Sequence, residues 1–360
     1  MRFILCIVAL SFSGPWVEAQ TAVLIGLHQT AWDDETGTTH PPPSYRTFLI
    51  TFHGGNAQLA ADIPDLVVPR KDGFWRVGSL RKGEGCAGSY QEFVYGVPIR
   101  SVPKAVGEYH PDTPGNGCEF DEAIIEFVNP ELLSVSYAQQ FFASLETESW
   151  HATYKLDDLD RPLDITTVFG SAAWLAQTTA DALSKAGNAE GLKDCSGVSE
   201  PDSTNWAIER SGGQHIVSDS SWILVSNYSA PHVCNGGDRY EIKFQIPKSV
   251  TGTEYHASTL ATLLKSPAAK KAGIYSNEAA LLTPAGDFLV VFNEAAALNI
   301  FEVKQQTLTA APILAVSPES NLVMIQWALG KHVAEWETEL RRIASVPLQE
   351  PTVAVGKPHE

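Results

Sequence analysis

Short apolar segments bounded by turn residues are the feature of this sequence that most restricts its fold. Three such segments, rich in β-branched and aromatic residues and flanked by Gly, Pro or Asn, span residues 48–52, 74–78 and 124–128. Each is too short for a helix of ordinary length. Helical patterns extend over 171–186, 255–265 and 333–344. We therefore predict an α+β fold that is predominantly antiparallel β with a few isolated helices.

Residues 1–19 have the composition of a signal peptide. Arg2 precedes an apolar core over residues 3–12, a Gly-Pro pair ends this core, and small residues at 17–19 form a cleavage site. The core has about half of the roughly twenty residues that a membrane-spanning helix requires. We therefore expect a periplasmic or secreted protein with no stable membrane insertion.

An even number of cysteines in an exported chain indicates disulfide bonds. Cys6 lies in the signal, and four cysteines remain in the mature chain: Cys86, Cys118, Cys195 and Cys234. Three connectivities are possible, of which the sequential one closes the shortest loops. A zinc site of four cysteines is the alternative, but it normally has closely spaced C-x-x-C pairs that are absent here. We predict no metal and no other cofactor.

The formal net charge of −17 is spread along the chain rather than concentrated in one tail. Such a charge repels nucleic acid phosphates and anionic lipid surfaces, so we expect no nucleic acid partner. A basic partner would be attracted instead. The alternative is that the acidity only keeps an exported protein in solution.

Composition divides the chain into several predicted units after the signal. We predict an N-terminal β unit over 20–119, an α/β domain over 120–250, a C-terminal β-hairpin repeat with a terminal helix over 251–346, and a disordered tail over 347–360. The repeat rests on an alignment of residues 281–291 with 315–325, each read as strand, polar turn and strand. It resembles the hairpins of β-propeller blades; the alternative is two stacked hairpins that cover one core.

The order of elements between about residues 120 and 250 is the most specific pattern. The segment over residues 127–135 is followed by a strand over 150–156, a turn over 157–162 and the segment 163–170, which leads into the Ala-rich helix. Strand patterns then follow at 205–213, 222–225 and 240–250. This order resembles the RsiV-like domain, an extracytoplasmic α/β module of anti-sigma factors and some cell-wall deacetylases. The resemblance implies a non-catalytic recognition module outside the cytoplasm.

Two short motifs suggest chemistry. His53-Gly54-Gly55 directly after an apolar strand is similar to the oxyanion-hole entrance of esterases, but no G-x-S-x-G nucleophile turn accompanies it, and a plain turn is the alternative. An aspartate cluster could supply oxygen ligands for calcium, but no D-x-D-x-D-G loop is present, and a solvated turn between strands is the ordinary explanation. Its members are Asp157, Asp158, Asp160 and Asp164.

Tryptophans could act in the core or at a surface. Most of the eight in the mature chain lie in predicted strands, which favours packing, whereas an exposed row could stack on sugars or anchor a protein. Since no complete catalytic motif is found, the first hypothesis is an exported non-catalytic protein that binds a protein or cell-envelope component. The alternative is a cell-envelope hydrolase, esterase-like or acting on cell-wall sugars, for which His53 is the candidate.

Overall fold

The first strand, β1 (Thr21–Gln29), lies at the centre of the fold and is buried on both faces. The computed structural model describes residues 20–29, 42–82, 90–101, 104–105, 119–141, 147–169, 203–210, 222–229, 239–245, 257–274, 279–293, 297–304, 307–315, 320–348 and 352–353. Ala22 and Leu24 of β1 enter one apolar core, and Val23, Ile25 and Leu27 enter another. A strand covered on both sides has a continuous apolar sequence.

Two larger sheets share the first core. Sheet 1 has the strand order β18–β1–β2–β3, with β2 (Ser44–His53), β3 (Asn56–Pro64) and β18 (Ser320–Leu329). Sheet 2 has the order β10–β9–β8–β6–β5–β4, with β4 (Leu66–Arg70), β5 (Gly73–Lys82), β6 (Tyr90–Pro98), β8 (Glu119–Val128), β9 (Leu132–Phe141) and β10 (Thr147–Lys155).

Two further sheets and a strand pair complete the described strands. Sheet 3 contains β11 (Trp206–Arg210), β12 (Trp222–Ser229) and β13 (Arg239–Gln245), and sheet 4 contains β14 (Ala279–Leu282), β15 (Phe288–Asn293), β16 (Ala297–Lys304) and β17 (Thr307–Ala315). The strand β7 (Lys104–Ala105) pairs with β19 (Thr352–Val353). All described pairings are antiparallel apart from β6–β8 and β7–β19.

The described helices are short and separate, and they pack on different parts of the sheets. They are α1 (Ile165–Phe169), α2 (Ala257–Leu264), α3 (Pro267–Lys271) and α4 (Lys331–Ala344). Helix α4 buries Val333, Leu340 and Ile343 in the core between sheets 1 and 2. Sheet 4 packs on the opposite face of sheet 1, and α2 and α3 pack on the outer face of sheet 4. The layers therefore stack in the order sheet 2, sheet 1, sheet 4 and the helix pair α2 and α3.

The predicted fold class is confirmed, since antiparallel strands dominate and the helices are isolated. The patterns at 255–265 and 333–344 correspond to α2 and α4. The pattern at 171–186 lies outside the described residues. Within the described chain, the structure contains no helix that is both long and apolar enough to cross a membrane.

Strand pairing crosses the predicted unit boundaries. Strand β18, from the predicted C-terminal unit, lies beside β1, and sheet 2 combines strands from the predicted N-terminal and central units. The predicted second hairpin is wrong, because β17 pairs with β16 in sheet 4 whereas β18 belongs to sheet 1. The disordered tail is also wrong in part: Leu348 packs on the first core and Thr352–Val353 forms β19.

Candidate functional site

His53 lies at a tight hairpin turn between β2 and β3. It pairs with Asn56 across the β2–β3 connection, and Gly54 and Gly55 have φ values of 55° and 79°. Two consecutive positive φ angles are those of a type I′ turn, which explains why two glycines follow the strand. Within the described chain, His53 has no hydrogen bond to a serine or a carboxylate. The turn therefore accounts for the two glycines, and the esterase-like interpretation of the motif stays a prediction.

The aspartates of the turn after β10 serve separate structural roles. Asp157 pairs with Arg70 at 3.0 Å. Asp164 accepts hydrogen bonds from the backbone N–H and hydroxyl of Thr166, at 2.8 and 2.6 Å, and from the Ser203 hydroxyl at 2.7 Å. The bonds from Thr166, then those from Ser203, lower the pKa of Asp164. In the described part of the chain, no three His, Cys, Asp or Glu side chains are grouped as metal ligands.

The described tryptophans act in packing. Trp206 is fully buried, and its indole N–H donates to the Leu163 carbonyl at 2.7 Å. The side chains of Trp75, Trp150, Trp327 and Trp336 are half-buried. None of these five forms an exposed row for sugars. The four mature-chain cysteines lie outside the described residues.

A buried polar cluster lies where β5 ends and β6 and β8 begin. We call Arg81, Tyr90, Glu92 and Glu122 the end cluster. The Glu92 side chain is 1% exposed, and its Oε1 accepts from Arg81 Nε at 3.0 Å and Nη2 at 2.6 Å. The Arg81 guanidinium lies 3.5 Å from the centre of the Tyr90 ring, and the Tyr90 hydroxyl donates to Glu122 at 2.8 Å.

Burial controls the electrostatics of the end cluster. It raises the pKa of the Glu92 carboxyl, and the charge of Glu122 adds to this, whereas bonds from Ala123 and Arg81 oppose it. Burial, with the bond to Glu122, also raises the pKa of the Tyr90 phenol. A carboxyl with a raised pKa is typical of acid–base sites. Here, however, Arg81 and the Ala123 N–H occupy both Glu92 oxygens, so the carboxylate is engaged inside the protein.

A shallow groove between β3 and α4 is open to solvent. The strand β3 is at the edge of sheet 1, and α4 lies along it. The groove has a volume of about 360 Å³. Both apolar and polar side chains form its wall: Leu59, Ala60, Ala61, Asp62, Arg341, Ala344 and Ser345.

A β-bulge shapes the floor of this groove. Ile50 pairs with Leu59 and Leu49 with Ala61, so Ala60 is the extra residue in β3. The bulge also changes which residues face which core: Leu59 packs toward sheet 4, whereas Ala61 packs toward sheet 2. Bulges are common at sheet edges and beside binding sites, where they redirect side chains.

A serine and a histidine also form a contact that the sequence did not indicate. The Ser136 hydroxyl and His151 Nδ1 are 3.0 Å apart on directly opposed positions of β9 and β10. The His151 backbone N–H donates to Asn205 Oδ1 at 2.9 Å. His151 is buried and Ser136 is half-buried. Because the two residues are fifteen positions apart and belong to no known motif, strand register is what brings them together.

Neither the end cluster nor the groove was predicted from the sequence. Arg81 and Glu92 lie on neighbouring strands, and Glu122 joins them through the β6–β8 contact. The groove combines an N-terminal edge strand with the last helix of the described chain.

A scan of protein-family models finds no match for this chain, and a search of the curated proteins finds no relative.

Proposed function

We propose that this is an exported, non-catalytic binding protein that recognises a protein or a cell-envelope component. One observation carries the proposal: the β3–α4 groove is open to solvent, whereas the end cluster is engaged by internal hydrogen bonds. The groove suits a ligand that lies along a surface, because it is shallow and mixes aliphatic with polar walls. Its bulged edge strand supports the same use.

The acidity of the whole chain supports a basic partner. A net charge of −17 attracts cationic groups, and dissolved salt limits the distance over which this attraction acts. Within the groove itself, Asp62 pairs with Arg46 at 2.6 Å and Arg341 pairs with Glu337 at 2.6 Å. Because the charged groups of the groove are already in ion pairs, we propose that the groove recognises the shape of the partner and that the rest of the acidic surface attracts it.

The experiment is a pull-down with the signal-free, oxidised protein from periplasmic or culture fluid. The variant Ala344→Arg places a long side chain in the groove at an exposed position of α4, so it need not disturb the core. Thr259→Arg on the exposed face of α2 adds the same charge in another layer and is the matched control. We expect Ala344→Arg to lose the captured partner and Thr259→Arg to retain it.

Salt provides a second readout of the same experiment. A partner attracted by charge should be captured less well at high salt, because screening shortens the range of attraction. Equal capture by the wild-type protein and Ala344→Arg would rule out the groove as the binding surface. Capture that salt does not change would rule out a basic partner.

A cell-envelope hydrolase of the esterase type is the second candidate function, and the Ser136–His151 contact favours it. A hydroxyl within hydrogen-bond distance of an imidazole is the core of a nucleophile–base pair. Turnover of p-nitrophenyl acetate, lost in Ser136→Ala and kept in Thr262→Ala, would establish this function. Unchanged background hydrolysis in all three proteins would exclude Ser136 as a nucleophile.

A further inference from the structure

His28 is a buried histidine with an unpartnered nitrogen. It is 3% exposed near the end of β1, on the face that points to sheet 2. Within the described residues, its buried Nε2 has no hydrogen-bond partner. The ring lies 5.2 Å from the ring of Tyr45, the residue opposite it on β2. A protonated imidazole here would carry a buried charge and a donor without an acceptor.

Tyr45 connects this position to sheet 2. Its hydroxyl accepts the Ile125 backbone N–H at 3.0 Å, which joins β2 of one sheet to β8 of the other. Tyr45 is 5% exposed and belongs to the core between the two sheets. Displacement of the His28 ring would therefore act directly on a contact between sheets 1 and 2.

The surrounding charges do not compensate a proton on His28. On β18 the opposite residue is the uncharged Asn321, and β4 contributes Leu66, which packs against β1 at Gly26. On sheet 2, the carboxylates of Glu92 and Glu126 act on the Tyr45 hydroxyl.

We propose that His28 makes the contact between sheets 1 and 2 acid-sensitive, so that protonation of its ring loosens the end of the two sheets that carries the end cluster. The inference is independent of the proposed partner. Its physical basis is geometric: the ring is buried, its Nε2 has no hydrogen-bond partner in the described chain, and it lies beside Tyr45, whose hydroxyl links the two sheets.

The direction of the pH effect follows from linkage. Burial lowers the pKa of His28 to about 4, whereas an unfolded chain has the ordinary value of about 6.5. The unfolded state therefore binds more protons between these values. The stabilising contribution of His28 is complete above about pH 6.5 and is lost progressively as the pH falls toward 4.

The test is urea unfolding of the signal-free protein at pH 7.5 and pH 5.0, followed by tryptophan fluorescence. His28→Phe keeps a ring beside Tyr45 but cannot take a proton. His332→Phe removes an exposed histidine of α4 and is the matched control. We expect the unfolding midpoint to fall at pH 5.0 for the wild-type protein and the control, and the fall to be at least halved in His28→Phe. An undiminished fall in His28→Phe would overturn the proposal.

A direct measurement covers the case in which His28→Phe does not fold. Hydrogen–deuterium exchange at the imidazole Cε1 position, resolved by peptide mass spectrometry across a pH series, reports the protonation of each histidine in the wild-type protein. We expect the exchange midpoint of His28 to lie below pH 5. A midpoint near pH 6.5 would overturn the proposal, because it would show that burial does not oppose protonation of the ring.

Discussion

The carboxylate of Glu92 pairs with a backbone group of the neighbouring strand: its Oε2 accepts the Ala123 N–H at 2.9 Å. Strands β6 and β8 pair in parallel at Tyr90 with Phe120, and beyond this point side chains bond to the β8 backbone. Glu92 bonds to Ala123, and Tyr45 bonds to Ile125 two residues later. These side chains therefore hold β8 in place from two different sheets.

We expect Glu92→Ala to be strongly destabilising and Glu92→Gln to be less so. The alanine variant removes the carboxylate that bonds to the half-buried Arg81 and leaves the Ala123 N–H without that acceptor, and losing one member of a buried pair costs about 3–5 kcal/mol. Glutamine keeps an acceptor oxygen for Ala123. Urea unfolding at pH 7 measures the free energy of unfolding. Equal losses in both variants would show that the hydrogen-bond acceptor contributes nothing.

The same residue predicts a pH dependence of opposite sign to that of His28. Burial raises the pKa of Glu92 in the folded protein, so the folded state takes up the proton more readily than the unfolded state. We therefore expect the stability of the wild-type protein relative to Glu92→Gln to increase as the pH falls from neutral through the raised pKa. His28 is present in both proteins and cancels in this comparison. A difference that stays constant between pH 7 and pH 4 would contradict the prediction.

Removing the Tyr45 hydroxyl should destabilise the protein by about 1–3 kcal/mol, which is the cost of a buried N–H left without a partner. The variant is Tyr45→Phe, which keeps the ring beside His28. Thr338→Ala on the exposed face of α4 removes a hydroxyl that bonds locally within the helix, so it is the control and should change stability little. A cost below that of the control would show that water or another group satisfies the Ile125 N–H.

Local patterns predicted the elements of this fold better than their arrangement. Residues 48–52, 74–78 and 124–128 fall within β2, β5 and β8, since alternation and turn residues are properties of nearby sequence. Strand β1 was missed, although it is the centre of the fold. Its sequence is apolar almost without interruption, and such a run does not distinguish a buried strand from a helix.

Long-range pairing explains what the sequence could not predict about the candidate site. The groove joins β3 to α4, which are separated by more than half of the chain, and its bulge at Ala60 follows from register rather than from composition. The aligned segments at 281–291 and 315–325 share a pattern but not a structure, because β18 pairs with β1 instead of β17. His53 illustrates the converse: a short motif was chemically suggestive, but two glycines were needed by the turn itself.

Gly26 should not accept a side chain. A Cβ at this position of β1 would lie 2.7 Å from Leu66 Cδ2 of β4 and 2.8 Å from Met324 Cβ of β18, so the Leu66 side chain and the neighbouring strand β18 would have to shift. We expect Gly26→Ala to cost about 1–3 kcal/mol through overpacking. Gly273→Asn is the control: Gly273 has φ +75° and no atom near its Cβ position, and asparagine tolerates this conformation. Thermal or urea unfolding that ranks the two variants in the opposite order would contradict the prediction.

Two of the cysteines precede strands that pair with each other, β6 and β8, in the sequence. Tyr90 lies beside Phe120 on adjacent strands, which are about 4.8 Å apart. Cys118 is two residues before Phe120 and Cys86 is four residues before Tyr90, so both precede the same strand pair by a short length of chain. Both cysteines lie outside the described residues, and among the possible connectivities the sequential one closes the shortest loops. We therefore propose the Cys86–Cys118 bond, which leaves Cys195 to pair with Cys234.

Peptide mapping of the oxidised protein without reduction tests this pairing. We expect one linked peptide pair that contains Cys86 and Cys118, and destabilisation by about 2–4 kcal/mol in the double variant Cys86→Ser/Cys118→Ser, because the bond restricts the unfolded chain. The double variant Cys195→Ser/Cys234→Ser should keep the first linked pair intact. A peptide that joins Cys86 to Cys195 or Cys234 would contradict the assignment. Since β8 is held by Glu92 and Tyr45 just beyond its first residues, reduction should loosen the end cluster before it affects the core between the sheets.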